Sequence, residues 1–253
     1  MLRIRVAACS RQSAEWFSDA LTSRGIANAL ERGTEETARV CYGWGLERDR
    51  RADVPTLNAK AGQFSKLSHL RLMRDADVRT IPFAENATDA ARLQFPLLAR
   101  INSDGNGKDI VPVFQPEEID WRIASGARYF TQYISRSAEY RFWVFRDRIL
   151  ATYIKTMRHP ERYHGIGANH KDGFEHVFID RADSNRALWP IAIAAVKAVD
   201  LDFGGADILL GKDGLPYVLE VNSAPGANGP RAVGLTHLAE EVAKWYQTLI
   251  GGE

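Results

Sequence analysis

Two short stretches near the C-terminus hold residues able to do chemistry. They are Gly204-Gly205-Ala206-Asp207 and Leu219-Glu220-Val221-Asn222-Ser223-Ala224-Pro225-Gly226. Glu220 and Asn222 are two apart, so in a strand both side chains leave one face, with Leu219 and Val221 on the other. Lys212-Asp213-Gly214 between the two apolar runs is a hairpin signal, and pairing across that hairpin brings Asp207 beside them. Two carboxylates and an amide oxygen on one face form a hard oxygen site, suited to Mg2+ or Mn2+. Without a cation the two carboxylates repel and one pKa rises. The competing reading is a solvent-facing pair of strands with ordinary acidic residues. Against it, Ile208-Leu209-Leu210 and Tyr217-Val218-Leu219 are apolar, and an acid inside such a run is costly unless paired or metal-bound. On local evidence the two readings stand level.

A second candidate is Ser103-Asp104-Gly105-Asn106-Gly107-Lys108. Glycines let backbone N–H groups approach a phosphate, and Lys108 adds charge. The G-x-x-x-x-G-K-[ST] spacing is absent, and a surface hairpin turn explains the loop about as well. His159, His164, His170 and His176 crowd one stretch without an H-E-x-x-H pattern, so zinc is the lesser reading. They, or Arg158 and Arg162, can instead approach an acceptor carboxylate. Arg48, Arg50 and Arg51 read as a solvated loop, with a grip on an anionic acceptor as the alternative. Trp16, Trp121, Trp189 and Trp245 fall on apolar helical faces and read as core. The Gly- and Pro-rich stretch from Asn222 through Asn228-Gly229-Pro230 fits a pocket rim or a connector.

The elements that must position these residues follow from periodicity. Residues 2–8 alternate apolar and basic, which predicts a strand with one buried face. Ser10 or Ser13 caps a following helix with Trp16, Phe17, Ala20 and Leu21 on one side, stopped by Gly25. Residues 40–42 read as a strand and 43–45 as a turn, so the first 60 or so residues form a small α/β unit. Phe64, Leu67, Leu70 and Met73 predict a helix over 63–75. Strands at 95–101 and 109–114 flank the glycine-rich loop, and 116–124 is helical. Residues 129–134 and 140–155 are strand-rich, with Arg146-Asp147 turning a hairpin. A loop over 159–173 precedes a helix over 186–199, with Leu188, Ile191, Ala195 and Val199 inward. Strands at 206–210 and 217–221 form the acidic hairpin, and an amphipathic helix over 234–250 closes the chain. The order is α/β first, then α+β with antiparallel hairpins.

Composition narrows the field. The chain has 253 residues, 45% apolar and 26% charged, which is an ordinary globular balance and excludes whole-chain disorder. Its 33 Lys and Arg against 32 Asp and Glu give a net charge of +1, so no field of one sign draws in nucleic acid or a membrane. Two cysteines form neither a disulfide framework nor a C-x-x-C site. The apolar stretch before Cys9 is too short for a signal peptide, and no run reaches the roughly 18 residues of a membrane span. A cytoplasmic protein is expected. The apolar faces near both termini permit a homodimer without requiring one.

Together these parts resemble the ATP-grasp superfamily, in particular carboxylate–amine ligases such as ribosomal-protein glutamate ligases, glutathione synthetases and D-alanine ligases. The resemblance runs from about Val40 to Gly226. Its most specific part is Phe203-Gly204-Gly205-Ala206-Asp207-Ile208-Leu209 followed by Val218 to Gly226. The resemblance implies that Asp207, Glu220 and Asn222 hold two Mg2+ ions, replaceable by Mn2+, that bridge the phosphates of ATP. Gln132-Tyr133-Ile134 is similar to the interlobe segment whose backbone reads adenine, although the family usually starts it with Glu. Glu139 corresponds to the ribose-binding carboxylate, Arg141 and Lys155 to phosphate-stabilising cations, and Asn169 to an asparagine of the glutamate ligases. Lys66 matches the first nucleotide-binding lysine. Trp44-Gly45 through Leu57-Asn58 to Lys66 resembles small phage-encoded members. The family's second lysine is replaced by Arg100, which is a fork rather than a point charge. Ser103, Gly105, Gly107 and Lys108 become the phosphate-covering loop.

The implied fold is α+β, with two lobes holding ATP between them after a short α/β unit. The implied units are 1–60 (the α/β unit), 61–130 (the N-lobe with the glycine-rich loop) and 131–253 (the C-lobe with the metal-binding hairpin). The implied reaction joins a small-molecule or peptide carboxylate to an amine through an acyl phosphate, with no protein nucleophile. Alternatives are an ATP-grasp kinase acting on a small-molecule hydroxyl, and a non-catalytic nucleotide-binding scaffold.

Overall fold

The computed structural model describes residues 2–6, 11–31, 40–44, 55–60, 65–101, 110–163, 173–180, 183–226 and 232–251. Alternation decides the first strand: in β1 (Leu2–Val6) Leu2 and Ile4 are fully buried. β1 lies between β2 (Asn28–Glu31) and β3 (Val40–Trp44), and β4 (Thr56–Leu57) follows β3, all parallel. Helix α1 (Arg11–Thr22) joins β1 to β2 and buries Ala14, Phe17 and Leu21. Ser13 is buried inside this helix and does not cap it, while Ser10 lies outside the described residues. The chain leaves α1 through Gly25 at φ +74°, a left-handed turn that glycine takes freely. The expected turn at 43–45 is corrected at Gly43 and Trp44. Both continue β3, because β1 extends to Val6 and offers them Arg5 and Val6 as partners.

A second sheet is antiparallel, in the order β5 (Phe83–Ala84), β8 (Tyr129–Gln132), β6 (Leu97–Arg100) and β7 (Ile110–Val113). Helices α3 (Ala87–Ala90) and α4 (Ile119–Ala124) cover it, with Ala90 and Ile119 packed among Leu97, Ala99, Val113 and Phe130. Trp121 does not join this core. It is 59% exposed, with the Arg122 guanidinium 4.2 Å from its ring centroid. Trp16 is also exposed, whereas Trp189 and Trp245 pack against core clusters as expected.

The third sheet runs β11 (Phe174–Ile179), β10 (Arg148–Met157), β9 (Arg136–Phe145), β12 (Phe203–Gly211), β13 (Pro216–Asn222), antiparallel throughout. β11 was not expected. Phe174, Val177, Phe178 and Ile179 do not alternate with its polar residues, and all six of its residues are half-buried. One face of the sheet carries Phe142, Val144, Ala206, Ile208 and Val218, covered by α2 (Lys66–Asp75) and α5 (Trp189–Ala198). The other carries Trp143, Tyr153 and Phe203 under α6 (Ala232–Ile250), whose Leu238 and Val242 continue into the core of the first sheet.

Period two then places the site. On β9, β10 and β12, positions of the same parity as Trp143, Tyr153 and Phe203 become Arg141 and Glu139, Lys155, and Asp207. The face that is apolar under α6 turns charged beyond it. Among the described residues no helix is long and apolar enough to cross a membrane.

Candidate active site

The acidic hairpin forms as its parity requires. Asp207 lies directly opposite Glu220, and Gly205 opposite Asn222, with a bulge just after Asp207. Gly205 needs to be glycine: a Cβ there would sit 2.9 Å from the Pro225 Cβ, so a side chain would lift the Pro225 turn off the strand. Asp207 is 2% exposed and receives both arms of the Arg141 fork, Nε at 2.5 Å and Nη2 at 2.7 Å. Arg141 is also its ladder partner on β9. The Lys155 ammonium reaches the same carboxylate at 3.3 Å and bonds Glu139 as well. Glu139, 4% exposed, takes a further bond from Arg136 at 3.1 Å.

Burial, the largest influence on the Asp207 carboxyl, pushes its pKa up. The charges of Arg141 and Lys155 outweigh it and hold the group well below the usual carboxylate range. Burial likewise pulls Arg141 and Lys155 down, and their carboxylates carry both above their ordinary values.

Lys66 enters from the first turn of α2, where the Ser65 side chain caps the helix by accepting from the Ser68 N–H. Its ammonium bonds Glu220 Oε2, and Asn222 Nδ2 donates to Glu220 Oε1 at 3.0 Å. Burial, the largest influence, and the Asp207 charge raise the Glu220 carboxyl, but Lys66 and the Asn222 hydrogen bond together outweigh them and the net shift is downward. One helical turn after Lys66, His69 hydrogen-bonds the Val221 backbone, and burial lowers its pKa. Sequence reasoning did not single out His69. The signal was its i, i+3 spacing from Lys66.

Arg100 closes the other side, at the end of β6. Among the described residues its guanidinium hydrogen-bonds only the Thr131 hydroxyl, at 3.2 and 3.3 Å. Burial lowers its pKa, and the opposing influences of Tyr129 and Glu220 are smaller. Arg100 thus faces the hairpin with no carboxylate in salt-bridge contact among the described residues.

The structure therefore gathers Lys66, Arg100, Glu139, Arg141, Lys155, Asp207, Glu220 and Asn222. Gln132, Tyr133 and Ile134 stand apart, where β8 runs toward β9. The N–H groups of Gln132 and Tyr133 bond the Pro82 and Pro96 carbonyls at 2.8 and 2.9 Å, and the Ile134 side chain packs into the core. Ser103, Gly105, Gly107, Lys108 and Asn169 lie outside the described residues.

The donor set fits a hard divalent cation. Asp207 and Glu220 are register partners, and the contact between Asn222 and Glu220 sets the amide beside the carboxylate. Among the described residues no group of three or more His, Cys, Asp or Glu side chains is arranged to hold a metal. The third donor here is an amide oxygen.

An antiparallel four-stranded sheet and a second, charged antiparallel sheet, with a basic helix start between them, define an ATP-grasp architecture. The chain belongs to the RimK-like ATP-grasp domain family, whose model matches residues 84–246. No curated protein matches it by sequence. Among solved structures it is similar to the ATP-grasp ligase PsnB complexed with a minimal precursor, at TM-score 0.71 and 14% identity, covering 96% of this chain and 98% of that one. D-alanine–D-alanine ligase from Bacillus anthracis gives 0.66 and 14%, covering 97% and 99%. A RimK-domain ATP-grasp protein from Sphaerobacter thermophilus gives 0.65 and 14%, covering 95% and 98%. At these identities the likeness is one of fold.

Proposed function

We propose that the protein is an ATP- and Mg2+-dependent ligase that joins a carboxylate to an amine. The observation that carries this reading is the pairing of Asp207 with Glu220, with Asn222 hydrogen-bonded to Glu220, ringed by Lys66, Arg100, Arg141 and Lys155. Asp207, Glu220 and Asn222 would hold the divalent cations, two Mg2+ or Mn2+ in their place. A cation held there would supply Lewis-acid neutralisation of phosphate charge.

The chain's own residues do the rest. Arg100, with a fork and no carboxylate in salt-bridge contact among the described residues, grips a phosphate bidentately. Arg141 and Lys155 stabilise charge on the transferred phosphoryl group, and Asn169 joins them. Glu139 meets the ribose or, through its bond to Lys155, sets that ammonium in place. The backbone around Gln132, Tyr133 and Ile134 reads adenine through groups other than the N–H groups spent on Pro82 and Pro96. The loop bearing Ser103, Gly105, Gly107 and Lys108 covers the phosphates and excludes water. The substrate carboxylate attacks the γ-phosphorus and ADP leaves. The amine then attacks the acyl carbon and inorganic phosphate leaves, so a C–N bond replaces a C–O bond.

PsnB has been solved with its precursor peptide, and the Bacillus anthracis ligase with ATP. The first supports a peptide among the small-molecule or peptide carboxylates proposed here, and the second supports ATP as the nucleotide. The units are 1–60, 61–130 and 131–253, the first serving the acceptor, and the protein works in the cytoplasm where ATP is supplied.

Thermal unfolding with a non-hydrolysable ATP analogue tests the reading without a known acceptor. At about 100 times its Kd the ligand stabilises by roughly 2.7 kcal/mol. The expected shift requires Mg2+ in the wild type and disappears in Glu220→Ala. No shift in the wild type overturns the reading in favour of a scaffold.

A further inference from the structure

The cations that surround the oxygen donors also fill them. Asp207 Oδ1 accepts from Arg141 Nε at 2.5 Å, and Oδ2 accepts from Arg141 Nη2 at 2.7 Å and Lys155 at 3.3 Å. Glu220 Oε1 accepts from Asn222 at 3.0 Å, and Oε2 accepts from Lys66. Each of the four carboxylate oxygens already holds an N–H donor. A free divalent cation that approaches Glu220 meets an ammonium of like charge.

These donors are not equally fixed. Arg141 and Asp207 are buried partners on adjacent strands, joined by a fork and held by the ladder. Lys155 is almost as buried, with 8% of its side chain exposed, and has two carboxylate partners. Lys66 stands on a separate element, at the start of a helix. Its side chain is 39% exposed, and Glu220 is its one carboxylate partner among the described residues. An ammonium on a flexible four-carbon stem can swing away at small cost.

We propose that Lys66 gates the metal position: its ammonium closes Glu220 to a free divalent cation, and releases it when the phosphate chain of a nucleotide takes the ammonium up. This rests on the proposed reading of Glu220 as a metal ligand. The exchange moves Lys66 from one anion to another, so neither side chain is left as an unpaired charge in a partly buried site. Free metal therefore binds weakly. Metal and nucleotide strengthen each other, and by linkage the coupling is the same in both directions.

The probe is Mn2+, followed by the loss of its free-ion electron paramagnetic resonance signal. Wild type, Lys66→Met, Lys66→Arg and Glu220→Ala are titrated with and without AMPPNP, each against AMPPNP alone. Methionine keeps an unbranched apolar stem of similar length and removes the charge. Circular dichroism confirms that each variant is folded. Without nucleotide, Lys66→Met should bind Mn2+ about tenfold tighter than wild type, within the usual range of site-to-site coupling. Lys66→Arg, which keeps the charge, should stay weak. Equal or weaker Mn2+ binding by nucleotide-free Lys66→Met overturns the gate. If the wild type with nucleotide still binds Mn2+ through Glu220 in that case, the metal-site reading stands and only the gate falls. If no Glu220-dependent Mn2+ binding occurs even with nucleotide, both fall together.

Discussion

Asn58 offers the sharpest test of how the first sheet is fastened to the strand that carries Asp207. It is 1% exposed and stands at φ +53°, a left-handed conformation that asparagine tolerates better than most residues. Its side chain donates to the Phe203 carbonyl at 2.8 Å and accepts from the Phe203 N–H at 2.7 Å, as a neighbouring strand would. Its own N–H bonds Asp202 at 2.9 Å. Asn58→Ala removes the side-chain partner of two buried backbone groups of Phe203, a loss of about 1–3 kcal/mol each where nothing replaces it. Alanine in a left-handed conformation adds about 1–2 kcal/mol. The expected loss is about 3–8 kcal/mol. Asn58→Gly loses the same two bonds but carries no Cβ, so it should fall less far, although a freer unfolded chain takes back part of the difference. Urea unfolding followed by far-UV circular dichroism, at unchanged m-value, reads both variants. An alanine variant within about 1 kcal/mol of wild type would show that Phe203 finds other partners and that Asn58 fastens nothing.

Two further predictions concern stability. Gly234, near the start of α6, donates its N–H to the Tyr153 hydroxyl at 3.1 Å, and a Cβ there would lie 2.7 Å from both that hydroxyl and the Trp143 ring. Gly234→Ala should cost about 1–3 kcal/mol by overpacking, seen as a lower Tm; an unchanged Tm would mean that the helix start yields freely. Acid should also destabilise the fold in two windows. Burial alone would raise the Asp207 and Glu220 carboxyls, but their cations hold both below the ordinary 3.8 and 4.5. The unfolded chain then takes up those protons first, so this stability is present above the unfolded values and is lost as pH falls toward the folded ones. Burial holds His69 below its ordinary 6.5, so it adds a separate loss that begins near that pH as the unfolded imidazole protonates. Chemical unfolding at stepped pH should show both losses, with His69→Gln removing only the upper one. A His69→Gln profile identical to wild type between about pH 7 and 5 would refute the half-buried, neutral ring.

Residues close in sequence were easier to place than their partners. Glu220, Asn222 and Asp207 could be set on one face by period two and a three-residue turn, and the ladder pairs them that way. Arg141 and Lys66 could be named only by resemblance. Their contacts with Asp207 and Glu220 span 66 and 154 positions, and no local pattern encodes such a register. β11 escaped because its apolar and polar residues do not alternate and it presents no clean buried face. Trp121 misled because helical spacing marks a face without saying whether anything covers it, and its ring lies against Arg122 instead. Asn58 fell in the Leu57-Asn58 segment named by resemblance, but its fastening role gave no signal, since a buried asparagine serving a distant strand looks like any loop asparagine.

The site also explains why composition says so little about the partner. The whole chain carries a net charge of only +1. At the charged end of the third sheet, Lys66, Arg100, Arg136, Arg141 and Lys155 surround Glu139, Asp207 and Glu220, a surplus of two positive charges among these described residues. Every carboxylate there is shared between, or held by, cations that belong to the protein. Such a cluster is stable when empty, because each of its carboxylates has a cation beside it. It also favours a ligand bearing several negative charges, since each cation can exchange a protein carboxylate for a phosphate oxygen without being stripped of partners. On the proposed reading, the freed carboxylates would then be the oxygen donors that a divalent cation needs. On that reading, metal and polyphosphate would be coupled through the same ion pairs, and Arg100, with no carboxylate in salt-bridge contact among the described residues, would supply the first grip.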